Sequence, residues 1–379
     1  MNEALILCPE APYPVIGGGP MRTACMLEYL ASRYTLDVIT FREPDAPDPR
    51  EHFPPGLARE IYVVDLPNHS KSMSSRALRN LDRMRRNAPP LVDRFAGFSL
   101  PIRCKYELAV VEHFWCATYV DALRPHCRRL VLNLHNIESV LLRRCAETES
   151  PVARFALRRF SSACHRLESE LLPRFDILLV TSEEDRARIN GSVVWPNAMP
   201  FVPRPQVPRA HEIAFSGNMA YHPNTAAAHF FAKSVWPLLR KQEPELVWRL
   251  VGKNPHALKL PRDPRIQATG AIADAIPLIA GTKAAVVPLL SGSGTRFKIL
   301  EAWAAGTPVI STTIGAEGLD ATPGEHLLIA DNPSQFANQV LSVLYENGLA
   351  DRLSKSGREL YESRFTWPVA WKVLESTGL

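Results

Sequence analysis

Ser291-Gly-Ser-Gly-Thr-Arg-Phe-Lys-Ile-Leu-Glu-Ala-Trp-Ala-Ala-Gly-Thr-Pro-Val-Ile310 is the most informative stretch of this 379-residue chain. It reads as a strand end, a glycine-rich loop, a helix, a Gly306-Thr-Pro308 turn and another strand. Free amides at a helix start favour phosphate, and Gly292 and Gly294 let the backbone approach a ligand closely. Ser293 lies between them, and Thr295 is placed to cap the helix. Arg296 and Lys298 put positive charge in the first turn, the wrong sign for the helix dipole unless an anion sits nearby. Glu301 follows about two turns from the loop, where a carboxylate can accept hydrogen bonds from ribose hydroxyls. A lone glycine loop is weak evidence. Glycines, two cations and the Gly-Thr-Pro turn together favour a phosphate site.

Outward from this stretch, short apolar runs alternate with amphipathic helical ones. Ala4–Cys8 reads as a buried strand, broken by Gly17, Gly18 and Gly19, after which Pro20 opens a helix to Ala31. Leu36–Phe41, Ile61–Leu66, Leu108–Val111, Leu130–His135 and Ile177–Thr181 follow as strands. After Trp195, five prolines in residues 196–208 can continue neither a helix nor a central strand. The alternation then restarts with strands at Glu212–Ser216, Leu246–Val251, Ile266–Thr269, Ala284–Val287, Val309–Ser311 and Leu327–Ile329, and with a helix over Asn224–Leu239. The pattern predicts an α/β protein with two doubly wound, Rossmann-like domains facing across a cleft. The expected boundaries are 1–195, a proline-rich linker at 196–210, a second domain at 211–362, and a C-terminal helix at 363–379 packing back on the first domain. In such sheets ligands bind beyond the carboxyl ends of strands, which draws attention to Gly217 with Asn218, Gly252, Gly270, His113 and His135.

Composition narrows the class. The chain is 46% hydrophobic and 22% charged, with 33 prolines and no Gly-X-Y period, which excludes collagen and disorder. A net charge of +5 is too mild to argue for nucleic acid. Seven cysteines lie between Cys8 and Cys164 without zinc spacing, which suits free thiols in a reducing compartment. The N-terminus lacks a signal-peptide pattern, and the apolar stretch from Ile272 to Leu290 is interrupted by Asp274, Pro277 and Lys283. A cytoplasmic protein is expected, with peripheral contact at the inner face of a membrane through residues 71–105. No two aspartates stand two residues apart, so an Asp-x-Asp metal grip is missing and neither a metal nor a cofactor is expected.

From Gly294 to Thr313 the sequence resembles the nucleotide-sugar site of glycosyltransferase family 4, retaining enzymes of the GT-B fold. Leu134-His135-Asn136, Thr181-Ser182-Glu183, Pro196-Asn197-Ala198, Phe215-Ser216-Gly217, Val251-Gly252, Thr269-Gly270 and Phe365-Thr366-Trp367 support the likeness in order along the chain. The resemblance implies a metal-independent, hexosyltransferase-type enzyme. It would take a UDP- or GDP-sugar as donor and a glycan or lipid-linked hydroxyl as acceptor, with retention, in polysaccharide biosynthesis. It also places His135 beside the transferred sugar, and Gly18, Gly19 and Arg22 beneath donor phosphates and acceptor. His113 is a weaker acceptor candidate.

Two departures matter. Ser293 stands where the family often has a first glutamate, seven residues before the second, which is Glu301. The family's Gly-Arg…Lys pair after the first strand of the second domain is replaced by Gly217-Asn218-Met219. The diphosphate grip therefore falls to Arg296, Lys298 and the amides of 292–295. A sugar-nucleotide epimerase of the same fold and a non-catalytic nucleotide-sugar binder are the alternatives; the first needs cleft carboxylates, and none is evident in the sequence.

One segment stands apart in charge. Residues 71–105 carry nine basic side chains against only Asp82 and Asp93, interleaved with Met73, Leu78, Leu81, Met84 and Phe95. A solvated helix face fits this pattern, and so does an interfacial patch that meets anionic lipid or a polyprenyl-diphosphate-linked acceptor.

Overall fold

In the first sheet, β1 (Glu3–Cys8), β2 (Thr35–Arg42), β3 (Glu60–Asp65), β4 (Tyr106–Glu112), β5 (Cys127–Asn133), β6 (Ile177–Val180) and β7 (Val193–Val194) run parallel in the order β3-β2-β1-β4-β5-β6-β7. The computed structural model describes residues 2–70, 72–292 and 296–379. The chain divides into two compact units, Met1–Trp195 with Val373–Leu379, and Pro196–Lys372. The second carries β8 (Glu212–Ser216), β9 (Val247–Val251), β10 (Ile266–Ala268), β11 (Ala284–Val287), β12 (Val309–Ser311) and β13 (Leu328–Ile329), in the order β10-β9-β8-β11-β12-β13. All pairings are parallel.

Both sheets share a 3-2-1-4-5-6 core order, so each has its switch point between its first and fourth strands. The apolar runs make this possible. Ala4 to Cys8 are all buried, as are all four residues of β11, because helices cover both faces of each sheet. Each Leu or Ile sealed there contributes about 1.5–3 kcal/mol relative to exposure. The first core runs from Leu5, Leu7 and Ile39 through Val111 and Phe114 to Leu132 and Val180. In the second unit Phe231, Trp236, Trp248 and Phe336 form an aromatic cluster.

Three expectations change in detail. The helix after β1 begins at Gly18, two residues before Pro20, with Gly17 at φ 105° as its cap. The single helix expected over Asn224–Leu239 is instead a helix at His222–Phe230, a π turn at Phe231–Val235 and a helix at Trp236–Gln242. Pro237 explains this: it has no amide to donate to the preceding turn, so the ladder widens there. The proline-rich segment is no free tether. Met199 N–H donates to the Phe365 carbonyl (2.9 Å), and Tyr361 and Arg358 donate to the carbonyls of Pro200 (2.7 Å) and Val202 (2.7 Å). Residues from 196 onward count with the second unit. That unit runs on to Lys372, and only Val373–Leu379 of the last helix count with the first unit. All seven cysteines are free.

Candidate functional site

In the second unit, the helix Phe297–Ala304 buries Ile299, Leu300, Ala302, Trp303 and Ala304. Lys298 and Glu301, three residues apart, share its remaining face. That face meets the loop after β8 at the switch point, where Ser216 Oγ donates to Glu301 Oε2 (2.8 Å) and Lys298 Nζ donates to Asn224 Oδ1 (3.1 Å). Lys298 also lies 5.7 Å from the Phe215 ring centre. It forms no ion pair among the described residues. Burial, and after it the charge of Arg296, push the Lys298 ammonium down to about 8, against the pull of Glu301. Burial likewise raises the Glu301 carboxyl, opposed by its Ser216 bond and by Lys298. Half-buried charges with few partners among the described residues cost the fold stability, which is common where a site awaits a charged ligand.

Arg296 stands just before the first residue of this helix, makes no side-chain cap there, and is only 8% exposed. Its Nη2 donates to the Ile314 carbonyl (3.4 Å) and lies 4.0 Å from Glu317 Oε2. Glu317 is thus an anion the structure itself supplies beside this cation, which the sequence reading did not anticipate. Gly292, at φ 128°, is needed because Arg296 lies against it; a Cβ there would sit 3.0 Å from Arg296 Nη2. Ser293, Gly294 and Thr295 lie outside the described residues, and so does the expected Thr295 cap.

Glycines crowd the neighbouring strand ends. Gly217 N–H donates to the Val251 carbonyl (2.9 Å), and Gly252 N–H donates to Thr269 Oγ1 (3.2 Å). Gly270 turns the chain after β10 at φ 76°. Asn218 holds this corner through Asn254 Nδ2 (2.9 Å) and Asn224 Nδ2, which donates to the Asn218 carbonyl (2.9 Å). A Cβ on Gly252 (φ 131°) would stand 2.2 Å from the Gly217 carbonyl oxygen. Gly252→Ala is expected to destabilise the protein by about 3 kcal/mol from this clash and the strained φ. Thermal unfolding checks it, and an unchanged Tm contradicts the close approach.

The switch point of the first unit holds a different assembly. Glu112 and Asn133 end β4 and β5 and are register partners. Asn133 Nδ2 donates to Glu112 Oε1 (2.9 Å) and Oε2 (3.1 Å), while its Oδ1 accepts from Arg22 Nε (3.0 Å) and Nη2 (2.7 Å). Thr23 Oγ1 donates to Glu112 Oε2 (3.0 Å), and His135 Nε2 lies 2.6 Å from the same oxygen. Because that oxygen already accepts from Thr23 and Asn133, Nε2 carries the hydrogen in the consistent tautomer and Nδ1 keeps its lone pair. Burial and the Arg22 charge hold His135 well below the usual imidazole range, so the ring is neutral. His113 stacks on it with ring centres 3.5 Å apart and on Trp115 at 4.3 Å. His113 takes φ 63°, rare for a side chain of its size, and its buried Nδ1 has no partner among the described residues. Burial and then His135 lower its pKa well below the ordinary value.

The structure therefore brings Arg22, His113 and His135 together, and Lys298, Glu301, Arg296 and Gly217 together, in two separate sets. Gly18 and Gly19 occupy the first turn of the helix Gly18–Ala31. Arg22 needs correction: at 1% exposure, with its guanidinium on Asn133, on the Trp195 carbonyl (2.7 Å) and over the Trp195 ring, it positions side chains instead of reaching phosphate. Glu112, which the sequence did not single out, touches His135. Glu112 is fully buried, with both oxygens in hydrogen bonds. Sequence reasoning missed Glu112, Asn133, Ser216 and Asn224. The available signal was positional, as Glu112, Asn133 and Ser216 are each the last residue of a strand.

Comparison with known proteins bears on the fold. Residues 210–346 match the family described as glycosyl transferases group 1. A 44.6 kDa protein of the cps region of Klebsiella pneumoniae is 19% identical over 364 residues, covering 90% of this chain and 91% of that one. Sucrose-phosphate synthase from Thermosynechococcus elongatus aligns with a TM-score of 0.71 at 18% identity, over 99% of this chain and 98% of that one. Anabaena HepE, solved in complex with UDP-glucose, aligns at 0.64 and 14% identity over 99% of each chain. TarM of S. aureus, in a complex containing UDP, aligns at 0.66 and 11% identity over 99% of each. The two α/β units are those of the GT-B glycosyltransferase fold.

Proposed function

Starting from a glycosyltransferase, a chain with a glycosyl transferases group 1 domain at residues 210–346, we propose that it moves a sugar from a nucleotide diphosphate donor to a hydroxyl acceptor with retention. The observation that carries the reading is the half-buried Lys298–Glu301 face against Ser216 and Asn224 at the second switch point. The costly step is departure of the nucleoside diphosphate, as negative charge gathers on its distal phosphate. Lys298 and Arg296 neutralise that charge in a water-poor corner, where each interaction is strengthened. Glu301 accepts from the ribose hydroxyls once Ser216 yields or shares its bond. The close backbone approach at Gly217 and Gly252 suits a flat nucleoside. Neutral His135 offers Nδ1 as an acceptor for a sugar hydroxyl, with His113 beside it. UDP is the favoured donor base, supported by the UDP complexes of the structural neighbours, and a polysaccharide role is supported by the cps-region relative. With two side-chain cations at the diphosphate, no metal is required.

Thermal shift with UDP, GDP and their sugars tests the reading: a ligand at a hundred times its Kd stabilises by about 2.7 kcal/mol. Slow donor hydrolysis without acceptor separates an enzyme from a mere binder. Binding without any hydrolysis or transfer sinks the enzymatic reading.

Binding should also depend on pH. Lys298 is charged below about 8 and loses its proton above. The affinity for a nucleoside diphosphate is therefore expected to hold below that pH and fall above it, by at most about tenfold per pH unit. Lys298→Arg keeps its charge through this range and should flatten the profile. Calorimetric titration with UDP from neutral to alkaline pH checks both; an equal fall in the variant places the titration elsewhere.

A further inference from the structure

The basic segment singled out in the sequence folds as the helix Met73–Arg86, capped by Ser72, whose Oγ accepts from Ser75 N–H (3.2 Å), and ended by Asn87 in the left-handed region. None of its residues is buried. Arg76, Arg79 and Arg83, spaced three and four apart, share one face and line a groove of about 570 Å³ with Arg94, His69 and Glu43. Arg83 is paired with Asp93 (2.8 Å) and Arg94 with Glu43 (2.6 Å). Arg79 is held only by the Ser70 carbonyl (2.9 Å), and Arg76 has no partner among the described residues. The groove thus keeps two guanidinium charges without a carboxylate. The field is felt at His69, whose pKa is lowered by burial and then by Arg94, Arg79 and Arg83.

Beside this charge the surface is apolar. The helix packs against the helix Pro151–Leu171. Across these two elements Met73 is 88% exposed, Leu78 68%, Val152 83% and Phe155 68%. Arg85, Arg158 and Arg159 are exposed among them. A soluble surface gains nothing from four large apolar side chains standing in water, whereas a bilayer interface buries them while its anionic headgroups meet the arginines.

We propose that this face docks on an anionic membrane surface, with Arg76 and Arg79 holding a lipid phosphate in the groove and Met73, Leu78, Val152 and Phe155 entering the acyl boundary. Docking is peripheral, because no helix among the described residues is long and apolar enough to cross a membrane. The inference does not depend on sugar transfer, and its test reads no transferase activity.

The full chain is sedimented with vesicles of phosphatidylcholine alone and of phosphatidylcholine and phosphatidylglycerol in equal parts. Binding is expected to the anionic vesicles, weakened by added salt. Arg76→Glu with Arg79→Glu should lower partitioning about 30-fold or more, at roughly fivefold for each basic residue lost. Leu78→Ser with Phe155→Ser should lower it about tenfold while leaving the salt dependence in place. These side chains are exposed, so an unchanged Tm verifies that each variant is folded. No sedimentation with anionic vesicles, equal sedimentation with both kinds, or indifference to the arginine variant overturns the proposal. Inorganic diphosphate is the last arm: stabilisation by it that is lost in Arg76→Glu with Arg79→Glu, without vesicle binding, assigns the groove to a free phosphate ligand and overturns the lipid.

Discussion

Glu301→Ala is expected to lower sugar transfer at least 100-fold while leaving the protein folded. The two halves of that result follow from the same observation. Among the described residues Glu301 makes one side-chain hydrogen bond, to Ser216, and its carboxyl is pushed up by burial. A group in that position costs the fold about as much as its single bond returns, so its removal should shift stability by no more than about 1 kcal/mol in either direction. A donor whose ribose hydroxyls lose their acceptor, by contrast, is displaced relative to Lys298, and small displacements cost orders of magnitude in rate. Arg296→Ala should lose a comparable factor, because a cation at the leaving diphosphate acts mainly in the transition state, where one such donor is worth about 100- to 1,000-fold. In the folded protein Arg296 reaches the Ile314 carbonyl at 3.4 Å and Glu317 at 4.0 Å. Transfer from UDP-glucose, or from whichever nucleotide sugar gives the largest thermal shift, is the measurement. Wild-type turnover in folded Glu301→Ala sinks the assignment of this face, and a large loss of Tm instead makes Glu301 structural.

Much of this was readable from the residues, for a physical reason. Parallel strands buried on both faces must be continuous apolar runs, and such runs are visible without knowing what they pair with. The loop–helix stretch from Gly292 to Glu301 was visible because the needs of an anion site, glycine and cations at a helix start, violate ordinary helix preferences. What stayed hidden depends on register. Glu112 and Asn133 are unremarkable in the sequence, each following a run of apolar residues. Only the pairing of β4 with β5 sets them side by side, and only the helix after β1 brings Arg22 and Thr23 over them. Arg22 was misread for the same reason. Near a glycine-rich turn a solitary arginine suggests phosphate, and nothing local says that an amide on a strand more than a hundred residues away has claimed it. Pro237 shows the converse, a local signal overlooked within a strong helical pattern.

The hidden assembly makes the second large prediction. Glu112→Ala should destabilise the first unit by about 4 kcal/mol, more than the loss of any one of its hydrogen bonds. Deleting the carboxylate strands three donors at once, Thr23 Oγ1, Asn133 Nδ2 and His135 Nε2, in a place where water does not reach. It also removes the anion that offsets buried Arg22, whose own pKa burial already lowers to about 10. Breaking a buried charged network from one side costs about 3–5 kcal/mol, since the remaining charge stays buried without compensation. Glu112→Gln separates the two contributions. Its carbonyl oxygen and shape are retained, so it should keep most of the stability, but its amide offers hydrogens where Thr23 and His135 require acceptors. The imidazole would then turn or switch tautomer, moving the lone pair from Nδ1. Stability near wild type combined with transfer lowered by about tenfold or more, with UDP affinity unchanged, would identify Glu112 as the group that positions His135. Full activity in folded Glu112→Gln would mean that the orientation of His135 is irrelevant to the reaction, and the imidazole would lose its proposed role with it.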